Sequence, residues 1–236
     1  VSLQHQLVDR VSVTAGFLRR QFYNLDVIDN TNLTADEWNS FSITTPTDSR
    51  LPLSGQPVTM YSLNPNKVGV ATNNLRTFSD VNRTIYNGFE VSANARFSKL
   101  LFFGGITTDR RASTECDGST NATNTARDNP NGLRFCDSVP PFRTTLKASA
   151  AYQLPYEFQL SASFLAAPGP SVAANYTVTA AQAGRSIIGT TAGANTISVN
   201  LIEPNTVFLD TRKQLDLRLG RTFRFGNRTR IQGFAD

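Results

Sequence analysis

Histidine occurs once in this chain, at His5, and cysteine twice, at Cys116 and Cys136. A metal centre or a Ser-His-Asp relay needs several ligands or partners, and His5 has none in its surroundings. It sits in a strand-like stretch and reads as a partly exposed strand residue. The sequence has no Gly-x-Ser-x-Gly, no phosphate-binding loop and no Cys-x-x-Cys. No enzymatic activity, cofactor or metal is therefore expected. The two cysteines share a connection rich in Asn, Thr and Gly. In an oxidising compartment they would close it, which chain entropy makes worth about 3 kcal/mol. Two free thiols are the alternative.

Asp109, Asp117 and the stretch 128–131 bring oxygen ligands together, but their spacing matches no calcium loop. They read as turn formers. The other groups with chemical potential are Glu90, Asn94, Arg96, Lys147, Asp216 and Arg218. Each stands on the polar side of a strand whose other side is apolar. They are expected to face a wet interior, where they either guide a solute, meet a plug, or pair with one another across strands.

The elements that carry them follow period two, as strands do. Phe89, Val91, Ala93, Ala95 and Phe97 alternate with Glu90, Ser92, Asn94 and Arg96. Val11, Val13, Ala15 and Phe17 alternate with Ser12, Thr14 and Gly16, in a strand read as running on to Val27. Leu146, Ala148, Ala150, Tyr152 and Leu154 oppose Thr145, Lys147, Ser149 and Gln153. Phe158, Leu160, Ala162 and Phe164 oppose Gln159, Ser161 and Ser163, and Leu215, Leu217 and Leu219 oppose Gln214, Asp216 and Arg218.

Tight turns are expected at Val8-Asp9-Arg10, Ser98-Lys99-Leu100, Pro155-Tyr156 and the stretch 224–228. Between them lie long connections at about 29–82, 110–141 and 167–212. The first offers a capping box, Thr34 to Glu37, ahead of Trp38. The third holds two strand-like stretches, 172–179 and 196–202, read as strand extensions. Connections thus alternate short and long along about eight strands. If neighbours are antiparallel, all turns fall at one end and all loops at the other. Transmembrane β-barrels of outer membranes sort their connections this way.

Composition agrees. Only 17% of residues are charged, against about 25% in soluble domains, and Thr, Ser, Asn, Gln and Gly fill the difference. The net charge of +5 invites a nucleic-acid reading, yet the basic residues are scattered. Doublets such as Arg19-Arg20 and Arg110-Arg111 are read as a solvated rim where strands run out into loops. No apolar run approaches the 18 residues of a membrane helix. Aromatics near strand ends (Phe17, Tyr23, Phe97, Tyr152, Tyr156 and Phe223) fit interfacial girdles. The chain starts without Met or a signal peptide and stops in a strand-like pattern, so it is expected to be a piece of a longer protein.

Three segments resemble the C-terminal barrel of TonB-dependent outer-membrane receptors, in particular the Oar-like type with a carboxypeptidase-regulatory-like front domain. They are Thr47-Asp48-Ser49-Arg50-Leu51-Pro52 with Leu63-Asn64-Pro65; Leu133-Arg134-Phe135-Cys136 through Pro140-Pro141-Phe142; and Gln214-Leu215-Asp216-Leu217-Arg218-Leu219 with Thr229-Arg230-Ile231-Gln232-Gly233. The resemblance implies that residues 1–236 form part of a 22-stranded barrel in the bacterial outer membrane. It also implies uptake of a bulky nutrient, a plug domain and a TonB-type energy-coupling protein, with lipid around the wall. The chain itself contains no plug and no TonB-contacting box. Two other readings stay open: an adhesive or structural barrel without transport, and a secreted glycan-binding β-sandwich. The latter draws on Asn-x-Thr acceptors at Asn32, Asn82, Asn121, Asn175 and Asn227.

Overall fold

The computed structural model describes residues 1–117, 129–189, 195–226 and 229–236. β1 (Ser2–Val8) turns at Asp9-Arg10 into β2 (Val11–Phe22). The first long connection carries β3 (Leu25–Asn30), β4 (Trp38–Thr44), β5 (Pro57–Leu63) and β6 (Asn74–Ser79). β7 (Arg83–Arg96) then turns back as β8 (Leu100–Thr114). The second connection holds the short β9 (Asp137–Ser138) and leads to β10 (Arg143–Gln153) and β11 (Phe158–Ala167). The third holds β12 (Asn175–Thr179), α1 (Ala180–Ala183) and β13 (Thr196–Asn200), and the chain closes with β14 (Arg212–Phe225) and β15 (Thr229–Ala235).

Eight of these strands form one antiparallel, up-and-down sheet in the order β1-β2-β7-β8-β10-β11-β14-β15, with β9 paired to the end of β8. That is the all-β topology expected of a barrel segment, left open between β1 and β15. Its turns all lie at one end and its long connections at the other. The β10–β11 turn places Tyr156 and Glu157 at φ 61° and 63°, the pair of positive angles that matches a hairpin loop to strand twist.

The register keeps each alternation in phase across strands. Val13 faces Ala93, Ala93 faces Gly104, Gly104 faces Ala148, and Ala148 faces Phe164, itself opposite Leu215. One face is therefore continuously apolar and uncovered: Phe89, Val91, Leu215 and Leu217 are all more than half exposed. Near the loop end Phe17 and Phe89 pack at 5.0 Å, Phe142 follows at 6.2 Å, and the Arg110 guanidinium lies 4.6 Å over Phe142. Near the turn end Arg221 sits 4.8 Å from both Phe158 and Phe223.

Buried apolar side chains gather elsewhere. The core cluster is Ile43, Val58 and Met60 of the first connection with Val178, Ile187, Ile197, Val199 and Leu201 of the third. Leu63 N–H donates to Ile188 O (3.0 Å), and Ile188 N–H to Ser62 Oγ (2.9 Å). The Asn131 amide ties in the second connection by bonding both Tyr61 N and Tyr61 O. The three connections thus form one module with its own core.

Several sequence expectations change here. β2 stops at Phe22; Leu25–Asn30 is a separate strand paired with Asn74–Ser79. The first connection, expected as a long loop, is mostly two strand pairs, β3 with β6 and, between them in sequence, the hairpin β4–β5. The two strand-like stretches of the third pair with each other rather than extending the sheet. Arg19-Arg20 and Arg110-Arg111 lie inside β2 and β8, because hydrogen bonding to β7 carries both strands past their apolar stretches. Asp109 is consequently a strand residue, not a turn former. The Thr34–Glu37 box does form, around a 3-10 turn in which Thr34 N–H donates to Glu37 Oε2 (2.9 Å). Asn131 N–H donates to Asn129 Oδ1 as expected of a turn, while Asp128 and the acceptor positions Asn121 and Asn227 lie outside the described residues.

Candidate functional site

The polar face of the sheet is where the structure collects its ionisable groups. All six residues singled out by alternation, Glu90, Asn94, Arg96, Lys147, Asp216 and Arg218, lie on it by register. Glu90 is opposite Gly16 on one side and Thr107 on the other, and Lys147 is opposite Gly105. With Asn94 they line a shallow cavity of about 500 Å³ floored by Gly104 and Gly105. A Cβ on Gly105 would lie 2.9 Å from Val91 O and 3.1 Å from Ser92 Cβ, so the strands come too close there for a side chain. Arg96 shares a second hollow with Asn94 and Phe103, nearer the turns.

Asp216 and Arg218 are not part of this group. They stand on β14, three strands beyond β8. Gln214 Nε2 donates to Asp216 at 3.1 Å, and Arg218 forms a two-point ion pair with Asp236, Nη2 lying 2.8 Å from Oδ2. Cross-strand pairing is therefore the role of Arg218, although its partner was not among the six.

Towards the long connections the same face turns basic. Arg20, Tyr86 and Arg111 are direct neighbours across β2, β7 and β8. The next row contains Gly88, Asp109 and Arg143. The Tyr86 ring lies over Gly88, where a Cβ would come within 2.8 Å of the hydroxyl and 3.1–3.2 Å of ring atoms. An aromatic covering a strand glycine in this way restores lost packing. An apolar hollow of about 630 Å³ runs along this row, lined by Leu18, Arg20, Phe22, Tyr86, Arg111 and Glu115 among others.

Beside it a larger cavity, about 710 Å³, opens between β8, β10 and the second and third connections. Its charged lining is Asp109, Arg110, Arg111, Glu115 and Arg143, and its walls include Leu133, Phe135, Phe208 and four prolines. Arg143 is fixed by donation from Nη2 to Gly169 O (2.6 Å) and by the Phe208 ring 4.0 Å away. Gly169 has no room for a side chain, because a Cβ there would run into the Leu209 and Asp210 carbonyls. Cys116 and Cys136 are joined by a disulfide, and Glu115 N–H donates to Cys136 O at 2.6 Å. The bond anchors the second connection to the end of β8 beside the cavity.

The basic rows are not evident from the sequence, where the arginine doublets look like a solvated rim. Continuing the alternation of β2 and β8 through them would have placed Arg20 and Arg111 with Glu90. His5 faces Val13 on the apolar side, and among the described residues no three His, Cys, Asp or Glu side chains come together as metal ligands do. Asn82, one of the glycosylation acceptors, is buried, its side-chain oxygen accepting from Asp117 N–H (3.0 Å).

No family model matches the chain, and no curated protein does. Among solved structures it is similar to the crystal structure of the outer membrane transporter YddB from Escherichia coli, at 15% identity and a TM-score of 0.38. The match covers 94% of this chain and 25% of that one, so the chain spans about a quarter of that structure's length.

Proposed function

We propose that the chain is part of the wall of an outer-membrane transport barrel. Its apolar face meets lipid, its polar face lines the solute path, and its long connections form the external surface. One observation carries this reading. The protein builds a buried core from its long connections, yet leaves the apolar face of its largest sheet uncovered. In water an exposed face of that size is an aggregation hazard; in a bilayer it is the required surface.

The dimensions support it. Along β8 the outward row runs from Arg110 to Leu100, roughly ten steps of ~3.4 Å, and a ~40° tilt reduces this to ~26 Å, near the ~25 Å apolar band of such barrels. The aromatic pairs Phe17–Phe89 and Phe89–Phe142 lie towards one end of this band, and Phe158 and Phe223 flank Arg221 towards the other. The free edges of β1 and β15 require further strands to close a barrel. A glycan-binding sandwich is less well supported, since among the described residues no second sheet packs on the apolar face.

The finer reading rests on the resemblance of the three sequence segments. It makes the chain part of a 22-stranded TonB-dependent receptor of the Oar-like type, non-enzymatic, with a plug and a TonB-type coupling protein as partners. The test is to express the protein with its native flanks. It should partition with detergent and migrate faster on gels before heating than after. A monodisperse, detergent-free monomer would overturn the membrane reading, and flanks without plug or TonB box would overturn the finer one.

A further inference from the structure

We infer that the 710 Å³ cavity between β8, β10 and the second and third connections binds a small anion carried on an apolar body, such as a phosphate or carboxylate attached to a ring. This rests on the barrel reading only in taking the polar face to be open to solute. The volume falls within the range of small-molecule sites.

The pairing state of the lining is the first argument. Two guanidiniums, Arg111 and Arg143, stand on the same face as the two carboxylates, Asp109 and Glu115, whereas the Arg110 guanidinium lies over Phe142 on the other face. Although Asp109 is the register partner of both Gly88 and Arg143, among the described residues neither carboxylate forms an ion pair with an arginine. The arginines are thus not neutralised by the lining itself. Arg143 also has an Nε atom that is shielded from solvent and lacks an acceptor among the described residues. A partly satisfied guanidinium in a sheltered place favours an incoming anion, and its fork geometry suits a carboxylate or phosphate.

The second argument is how the arginines are held. Arg143 is locked by Gly169 O and the Phe208 ring, so little side-chain entropy remains to be lost on binding. Arg111, exposed and adjoining Tyr86, also lines the neighbouring apolar hollow. The third is the wall. Leu133, Phe135 and Phe208 with four prolines offer rigid apolar surface opposite the charges, which a bare inorganic anion would leave unused.

The test uses the full-length protein in nonionic detergent, with 4-fluorophenyl phosphate as probe and its 19F linewidth as readout. The phosphate probe should broaden, whereas 4-fluorobenzyl alcohol and 4-fluorobenzylamine should not. Inorganic phosphate should compete at least tenfold more weakly than the unlabelled phenyl ester. Arg111→Gln should weaken the probe about tenfold, as expected for loss of one charge-assisted contact, and Arg143→Gln by at least as much. If Arg143→Gln loses its heat-modifiable band, Arg111→Gln decides alone, because among the described residues the Arg111 side chain makes no hydrogen bond or ion pair to the connections.

Equal broadening by the neutral or cationic probe would overturn the inference, as would an unchanged affinity in Arg111→Gln. Full competition by inorganic phosphate would overturn the apolar half of it. If the probe fails while detergent partition and heat-modifiable migration persist, the anion site is wrong and the barrel reading stands. If those properties fail too, the barrel reading falls first.

Discussion

The most direct test of this architecture is to remove one buried side chain from the loop module. Met60 is fully buried on β5, in a cluster drawn from connections more than a hundred residues apart. Met60→Ala removes its transfer free energy and leaves a cavity, together about 3 kcal/mol within the usual 2–5 kcal/mol range. The chain has one tryptophan, Trp38. It is buried at the start of β4 and faces Leu63 of β5, so its emission reports the module alone. With a urea slope of about 2 kcal/mol/M, the Trp38 transition should move to lower urea by ~1.5 M. Val178→Ala, on β12 in the third connection, should move the same transition by roughly half as much, since fewer buried atoms are removed. Leu217→Ala, on the uncovered face of β14, should leave it in place. Heat-modifiable migration, which follows the large sheet, should survive all three. A shift below ~0.3 M for Met60→Ala, or no response to Val178→Ala, would refute a shared core between the first and third connections.

Four further outcomes follow from the same geometry. Leu217→Arg places a charge on the apolar face and should cost about 2–4 kcal/mol near the bilayer midplane, read as loss of heat-modifiable folding. Ser163→Lys, on the polar face and opposite Asp216, should be tolerated in the same assay. Cys116→Ser should weaken closure of the second connection by about 3 kcal/mol, and since 1.4 kcal/mol is tenfold, limited proteolysis there should accelerate about a hundredfold while the sheet persists. Acid should open the first connection late: the Lys67 ammonium bonded to Glu37 and the Arg50 guanidinium on Asp48 hold both carboxyls below their ordinary values of 4.5 and 3.8. A lowered pKa means stability that is complete above the ordinary value and is lost as pH falls through the lowered one. Trp38 emission should therefore be flat from pH 7 to about 4.5 and change only below it.

Most of the sheet strands were legible because each has one uniform environment per face, so period two survives in the residues themselves. Phe89 through Arg96 is the clearest case. β8, by contrast, opens on four apolar residues in a row and puts Leu101 and Phe103 on the polar face. Strand ends were not legible. β8 runs to Thr114 through Asp109-Arg110-Arg111 because β7 pairs with it that far, and pairing partners leave no mark on a single stretch of sequence. The loop module was hidden for another reason. Its strands are five to seven residues long and mix Ser, Thr and Asn with the few buried apolar positions, as in Trp38–Thr44. Their core forms only when Met60 meets Val178 and Ile197 across long stretches of chain. The Arg218–Asp236 pair was equally invisible, since its two residues are eighteen positions apart and meet through the last hairpin. The disulfide was legible because both cysteines sat in one polar connection.

The basic cavity gains its meaning from where these two structural parts meet. A barrel wall is held in shape by cross-strand hydrogen bonds, and an external loop usually is not. Here the cavity is bounded by both: Asp109, Arg111 and Arg143 come from the wall, while Leu133, Phe135 and Phe208 come from the connections. Ties between the connections and the wall include the Arg143–Gly169 bond, the Cys116–Cys136 disulfide beside β8 and the pairing of β9 with β8, and donation from Ser138 Oγ to Pro204 O joins the second connection to the third. Cutting one tie should therefore loosen the apolar side of the cavity without moving its arginines. On that argument Cys116→Ser weakens binding of 4-fluorophenyl phosphate but leaves that of inorganic phosphate nearly unchanged, whereas Arg111→Gln weakens both. A parallel loss of both ligands in Cys116→Ser would mean that the wall and the connections do not hold separate halves of the site.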